Sequence, residues 1–129
     1  MNNLRTIHPE DVAAEMKKLM AWYQGVEEKT IETVAVFHAR YELIHLFQDG
    51  NGRTGRIIMF RECLANGICP FIVQDKNRAV YVTALKRAQT ENDYAELVEY
   101  FQAEQSEYLG DCQYFSVEER YAECTGNKG

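Results

Sequence analysis

The sequence predicts an all-α fold, and three observations carry that expectation. Helix-forming Ala, Glu, Leu and Lys are plentiful, and the chain has only two prolines. Apolar residues recur at three- and four-residue spacing in one segment after another. Helix-starting and helix-stopping residues stand at the borders of those segments. The 129 residues make one domain, 1–129, long enough to bury a core. Apolar residues at 46% and charged residues at 26% are ordinary globular usage, which argues against disorder. No apolar run approaches the roughly 18 residues of a membrane span. The opening Met1–Thr6 carries no apolar signal-peptide core.

The first helix starts near Pro9, with Glu10 and Asp11 suited to its N-terminal dipole. Val12, Met16, Leu19, Met20 and Tyr23 follow at helical spacing, and Gly25 ends it. Thr30 is the N-cap of a second helix. Its stripe runs through Ile31, Val34, Phe37 or His38, Tyr41, and Ile44 or His45. A third helix is expected from Gly52 to Ala65, stopped by Asn66-Gly67. Its apolar residues, Ile57, Ile58, Met59, Phe60 and Leu64, lie all round, the pattern of a central buried helix. Residues 68–73, with Pro70, read as an extended connector. A fourth helix runs from Asn77 to about Gln89, with Tyr81, Leu85 and Ala88 on one face. A fifth carries Tyr94, Leu97, Val98, Phe101, Gln105 and Tyr108 and is closed by Gly110. Residues 110–129 are a C-terminal tail with room for one short helix before a polar end.

Net charge is −6, which disfavours binding to nucleic acid or to a membrane surface. The distribution is uneven. Residues 53–87 hold seven basic and two acidic side chains, a +5 island that leaves −11 elsewhere. Such an island fits a local anion site, although a solvated helix face gives the same pattern. The cysteines, Cys63, Cys69, Cys112 and Cys124, match no metal or redox spacing. Cys63 lies in an apolar run and reads as a core thiol. Without a signal peptide, four reduced thiols in a cytosolic compartment is the simplest reading, with pairing left open.

The junction of the second and third helices reads His45-Leu46-Phe47-Gln48-Asp49-Gly50-Asn51-Gly52-Arg53-Thr54-Gly55-Arg56. It is a helix end, a glycine-bearing loop and a new helix N-terminus, whose free N–H groups attract anions. Gly50 and Gly52 permit close backbone approach to a ligand. Arg53 and Arg56, three apart, share one helix face and can both reach a phosphate chain. Cations are disfavoured at a helix N-terminus, and a bound anion removes that conflict. Asp49 is a hard carboxylate suited to Mg²⁺ beside phosphates. Asn51 can donate to a phosphate oxygen. His45 is the histidine beside this cradle and can accept a hydroxyl proton near neutral pH. Each feature alone has a bland explanation. A lone histidine on an apolar helix face is usually packed, Gly-Asn-Gly is usually a turn, and Phe47 is packing. Their joint occurrence at fixed offsets is expected by chance on the order of 10⁻¹⁰ times per start position.

The segment resembles the signature of the Fic family, H-x-F-x-(D/E)-G-N-G-R-x-x-R, complete at His45, Phe47, Asp49, Gly50, Asn51, Gly52, Arg53 and Arg56. The likeness extends to about Tyr108, with Tyr81-Val82-Thr83-Ala84-Leu85 looking like part of the family core. It implies a Fic-like helical bundle with the motif loop, 45–56, between two central helices. It also implies a protein adenylyltransferase, which moves AMP from ATP to a Tyr, Thr or Ser hydroxyl of a target protein with Mg²⁺. Carried over, His45 is the base and Asp49 holds Mg²⁺. Gly50, Asn51 and Gly52 cradle the phosphates, and Arg53 and Arg56 bind their β/γ end. A cytosolic location follows, or delivery into a host cytosol if the chain is an effector.

Three departures bear on these expectations. Leu46 stands where many members have Pro, at a variable position. Only eight residues precede Pro9, so the β-hairpin flap that holds the target segment is expected to be missing, as in a shortened or minimal member with weak transfer. No clean (S/T)-x-x-x-E-(G/N) inhibitory motif occurs: Ser116 is followed by Arg120 at the glutamate position, and Thr6-Glu10 by Asp11. Inhibition would then come from a removed segment or a partner protein. A Doc-like phosphotransferase is the nearest alternative. That group has lysine at the second motif glycine, and Gly52 favours AMP transfer. A non-catalytic nucleotide-binding module is a third reading. A metal hydrolase built on His8, His38 and His45 lacks a ligand motif, and His38 is expected to pack in the core.

Overall fold

The computed structural model describes residues 9–44 and 51–114. Five α-helices follow a short 3-10 turn at Pro9–Asp11: α1, Val12–Gly25; α2, Ile31–Ile44; α3, Asn51–Ala65; α4, Arg78–Glu91; and α5, Ala95–Tyr114. A second 3-10 turn, Asp75–Asn77, leads into α4. No strand occurs among the described residues, in agreement with the all-α expectation.

Local chemistry explains the helix ends. The Thr30 hydroxyl accepts the Thr33 N–H at 3.4 Å, and the Thr33 hydroxyl accepts the Thr30 N–H at 3.2 Å. This reciprocal cap confirms Thr30 as the start signal of α2. At the end of α3, Ile68 N–H donates to the Cys63 carbonyl at 2.8 Å and Gly67 N–H to the Leu64 carbonyl at 3.4 Å. Gly67 has φ +70°. This is a Schellman stop, and it needs the residue without a Cβ. Asp93 Oδ1 accepts the Ala95 N–H and caps α5, while Asn92 closes α4 in the left-handed region at φ 54°.

The central helix is α2, not α3. It packs against α1 and α3 and also against α4 and α5. The α3 residues expected to be buried on all sides divide instead. Met59 and Cys63 are in the core, but Ile57 is 62% and Leu64 59% exposed. Apolar residues spread round a helix do not bury it when neighbours cover only one side. The side of α3 that faces α2 carries the small Gly55 with Met59 and Cys63, spaced by four.

Two apolar clusters meet on α2. Val34, Ala35 and Ala39 face Met59, Cys63, Phe71, Tyr81, Ala84, Ala88, Leu97 and Phe101. Phe37 and Ile44 face Leu19 and Tyr23 of α1. Alanines at i, i+4 on both α2 and α4 let those helices approach closely, and Gln89 Nε2 donates to the Ala39 carbonyl at 3.1 Å. Each fully buried large side chain, such as Leu19 or Phe101, contributes on the order of 2 kcal/mol.

Three further boundaries differ from the sequence expectation. Pro9 opens a 3-10 turn, and the α-helix proper begins at Val12. The fourth helix begins one residue later than expected, at Arg78, and runs on to Glu91. Gly110 does not close α5, which continues to Tyr114. The tail expected from residue 110 therefore begins as helix, and residues 115–129 lie outside the described residues. A glycine inside a helix costs only about 1 kcal/mol, less than the packing of a long amphipathic helix returns.

The connector, residues 68–74, is held by a buried acid that the periodicity did not reveal. Glu104 of α5 accepts from Gln74 N, Gln74 Nε2, Asn77 Nδ2 and the Tyr100 hydroxyl. Burial pushes its carboxyl up, but these hydrogen bonds outweigh burial and hold it below its ordinary value. Phe71 then stacks at 4.7 Å on Phe101. Cys63 is fully buried, as expected of a core thiol, and Cys63 and Cys69 are free thiols.

Candidate active site

The motif straddles the α2–α3 junction. His45, Phe47, Asp49 and Gly50 lie outside the described residues, as does the flap question. The second half is in view. Asn51 and Gly52 are the first two residues of α3, so Gly52 is helical and not part of a loop. The first four N–H groups of α3 have no helical acceptor and mark an anion-attracting end.

Arg53 and Arg56 line the same cavity, of about 230 Å³, beside Ile57, Phe60, Phe71 and Ile72. The shared face predicted from their spacing of three is therefore real. A larger cavity, about 610 Å³, lies between α4 and α5 and is lined by Val80, Thr83, Glu96, Glu99, Tyr100 and Ala103. It holds no motif residue, and its size is no argument for chemistry.

Behind Arg56 is a buried polar group that sequence reasoning did not assemble. His38 of α2 is 1% exposed, and its Nε2 lies 2.7 Å from the Tyr81 hydroxyl of α4. Burial, and then the Arg56 charge, lower its pKa to about 3, against a backbone hydrogen bond with Gly55. His38 is thus a neutral core histidine, as expected. Glu42, one turn on, is 9% exposed, and its Oε2 has no hydrogen-bond partner among the described residues. His38 Nε2 is 4.0 Å away, beyond hydrogen-bond distance. Burial raises the Glu42 pKa to about 7, and the nearby Arg56 charge opposes that rise. The Tyr81 hydroxyl is hydrogen-bonded to His38. Burial and Glu42 push its phenol up to about 12 although Arg56 opposes them, so it keeps its proton at neutral pH.

Gly55 permits this arrangement. A Cβ there would collide with Glu42 Oε2. The legible signals were Glu42 at i+4 from His38 on an otherwise apolar stripe, and a glycine between the motif arginines. Tyr81, 43 residues from His38, gave no local signal.

Among the described residues, no group of three His, Cys, Asp or Glu could hold a metal ion. A Mg²⁺ site of the expected kind takes one or two carboxylates and completes its shell with phosphate and water, so Asp49 as sole acidic ligand fits its donor chemistry. No described helix is long and apolar enough to cross a membrane.

The geometry by itself defines an all-helical domain with two arginines lining one cavity at a helix N-terminus. Comparison with known proteins narrows it. Residues 3–63 match the Fic/DOC family, the family that the motif resembles. It is 38% identical over 77 residues to a protein named "Probable protein adenylyltransferase aq_aa38" of Aquifex aeolicus (strain VF5), which covers 57% of this chain and 23% of that protein. Over 82 residues it is 32% identical to protein adenylyltransferase fic-1 of Caenorhabditis elegans, covering 61% of this chain and 16% of the relative. Protein adenylyltransferase Fic of Drosophila melanogaster is 34% identical over 83 residues, 62% of this chain and 17% of the relative. The chain thus spans less than a quarter of the length of these relatives.

Proposed function

We propose that this chain is the catalytic core of a protein adenylyltransferase that moves AMP from ATP to a Tyr, Thr or Ser hydroxyl of a target protein. One observation carries the reading furthest: Arg53 and Arg56, the last two positions of a complete Fic motif, line one cavity at the start of α3. The names of the relatives point the same way.

In this reading Arg53 and Arg56 bind the β- and γ-phosphates. The backbone at Gly50 and Gly52 and the Asn51 side chain hold the rest of the phosphate chain. His45 takes the proton of the target hydroxyl, whose oxygen attacks the α-phosphorus. The bond from that phosphorus to the bridging oxygen breaks, and pyrophosphate leaves with its charge neutralised by the two arginines. Asp49 would hold Mg²⁺, which supplies further neutralisation of phosphate charge when bound. The reading places the chain in a cytosol, where ATP is available, with inhibition supplied by another segment or by a partner protein.

The test uses ATP labelled at the α or the γ position with a host lysate. Protein label from α-labelled ATP is expected. Label arriving only from γ-labelled ATP would mean phosphate transfer and overturn the proposal. His45→Ala should abolish transfer and leave ATP affinity within a few-fold, since a general base acts on the hydroxyl and not on the nucleotide. A large loss of ATP binding in a folded His45→Ala protein would count against the base assignment.

A further inference from the structure

Two apolar surfaces stay uncovered among the described residues. The first is on α3. Ile57, Arg61 and Leu64 stand at i, i+4 and i+7 and are all exposed, so they form one outward stripe. At 1.5 Å per residue the stripe is about 10 Å long. The second is the cavity of about 610 Å³ between α4 and α5. Ala79, Thr83 and Ala103 line it, and these small side chains leave a trough where larger ones would fill the space. Val80, 55% exposed, stands on the α4 wall, and Glu96 and Glu99 stand on the α5 wall. From Glu96 to Ala103 the chain advances seven residues, the same as from Ile57 to Leu64.

Charge sets the two surfaces apart. On α3, Arg53, Arg56 and Arg61 stand against the single acid Glu62. On α5, Glu96, Glu99, Glu104, Glu107 and Asp111 stand with no lysine or arginine. Glu96 is already held by Arg87 at 2.7 Å. The side chains of Arg61 in the stripe and Glu99 at the trough have no hydrogen bond or ion pair among the described residues. An apolar ridge with an unpaired cation complements an apolar trough with an unpaired anion. Stripe against stripe, or trough against trough, would gather like charges instead. Different patches that fit each other on separate molecules make a head-to-tail contact.

We propose that this chain binds a second copy of itself head to tail, with the Ile57–Arg61–Leu64 stripe of one copy seated in the α4–α5 trough of the next and Arg61 beside Glu99. Ile57 also lines the cavity that holds Arg53 and Arg56, so the seated copy borders the candidate site. One helix stripe in one trough is a small interface, and the expected dissociation constant is roughly 10–100 μM.

The experiment is sedimentation equilibrium of the full 129-residue chain over concentrations that bracket this range, with thermal unfolding as a check on folding. The average mass of the wild type should rise above that of a monomer as concentration increases. Leu64→Glu spoils the stripe and Ala103→Trp fills the trough. Both positions are exposed, and neither belongs to the motif. Each variant alone should associate at least about tenfold more weakly. Mixed in equal amounts they should form a one-to-one pair and stop there, because each keeps the face that the other has lost. Arg61→Glu and Glu99→Arg should each weaken association, and the two reversals in one chain should restore it. A monomeric wild type across the range would overturn the proposal and leave these faces to another partner. A mixture that stays monomeric while the wild type associates would mean that copies pair through like faces, and would overturn it too. Failure of the double charge reversal to restore association would remove the Arg61–Glu99 contact from it.

Discussion

His38 and Glu42 are neighbours on one helix face and respond to pH in opposite senses. Native His38, with its pKa lowered to about 3 from 6.5, binds fewer protons than the unfolded chain between those values. Its contribution is fully present above pH 6.5 and is lost as pH falls towards 3. Native Glu42, raised to about 7 from 4.5, keeps a proton that the unfolded chain has released. Its contribution is present below pH 4.5 and is lost as pH rises through 7. The two slopes oppose each other where the windows overlap. Glu42→Gln should therefore gain stability relative to wild type as pH rises from 4.5 to 7, with a constant advantage above that. Thermal midpoints across pH would check this, and parallel profiles for the two proteins would refute it.

Two glycines separate helix ends from helix interiors. Gly67 has φ +70° and open space where a Cβ would go, so Gly67→Ala meets no atom but forces a left-handed alanine. The expected cost is about 1 kcal/mol, seen as a lowered denaturant midpoint with unchanged slope. Gly110 also has open space and lies inside α5. Gly110→Ala should stabilise by about 0.5–1 kcal/mol through helix propensity. A loss of stability there would mean that α5 ends at Gly110, as composition alone suggested.

Over the whole molecule, α2 connects everything. It carries the core faces for α1, α3, α4 and α5 and ends one residue before His45. Glu104 has a similar reach at the other side, tying residues 74–77 to α5. Glu104→Ala would orphan several donors at once and should cost about 3 kcal/mol or more, with amide exchange rising first along residues 68–77.

The sequence alone determined the helical class, the Thr30 and Gly67 boundaries and the motif with its paired arginines. Those depend on neighbours within a few residues, where spacing, caps and glycine torsion act directly. It also marked His38 as a core residue, because an apolar stripe surrounds it. Only the tertiary structure decided that α2 is central and α3 half exposed, since burial depends on which faces distant helices cover. The same holds for Glu104, whose donors on Gln74 and Asn77 lie 30 and 27 residues away in sequence. Tyr81 joins His38 across 43 residues, and no local pattern encodes a hydrogen bond closed by the packing of α4 against α2.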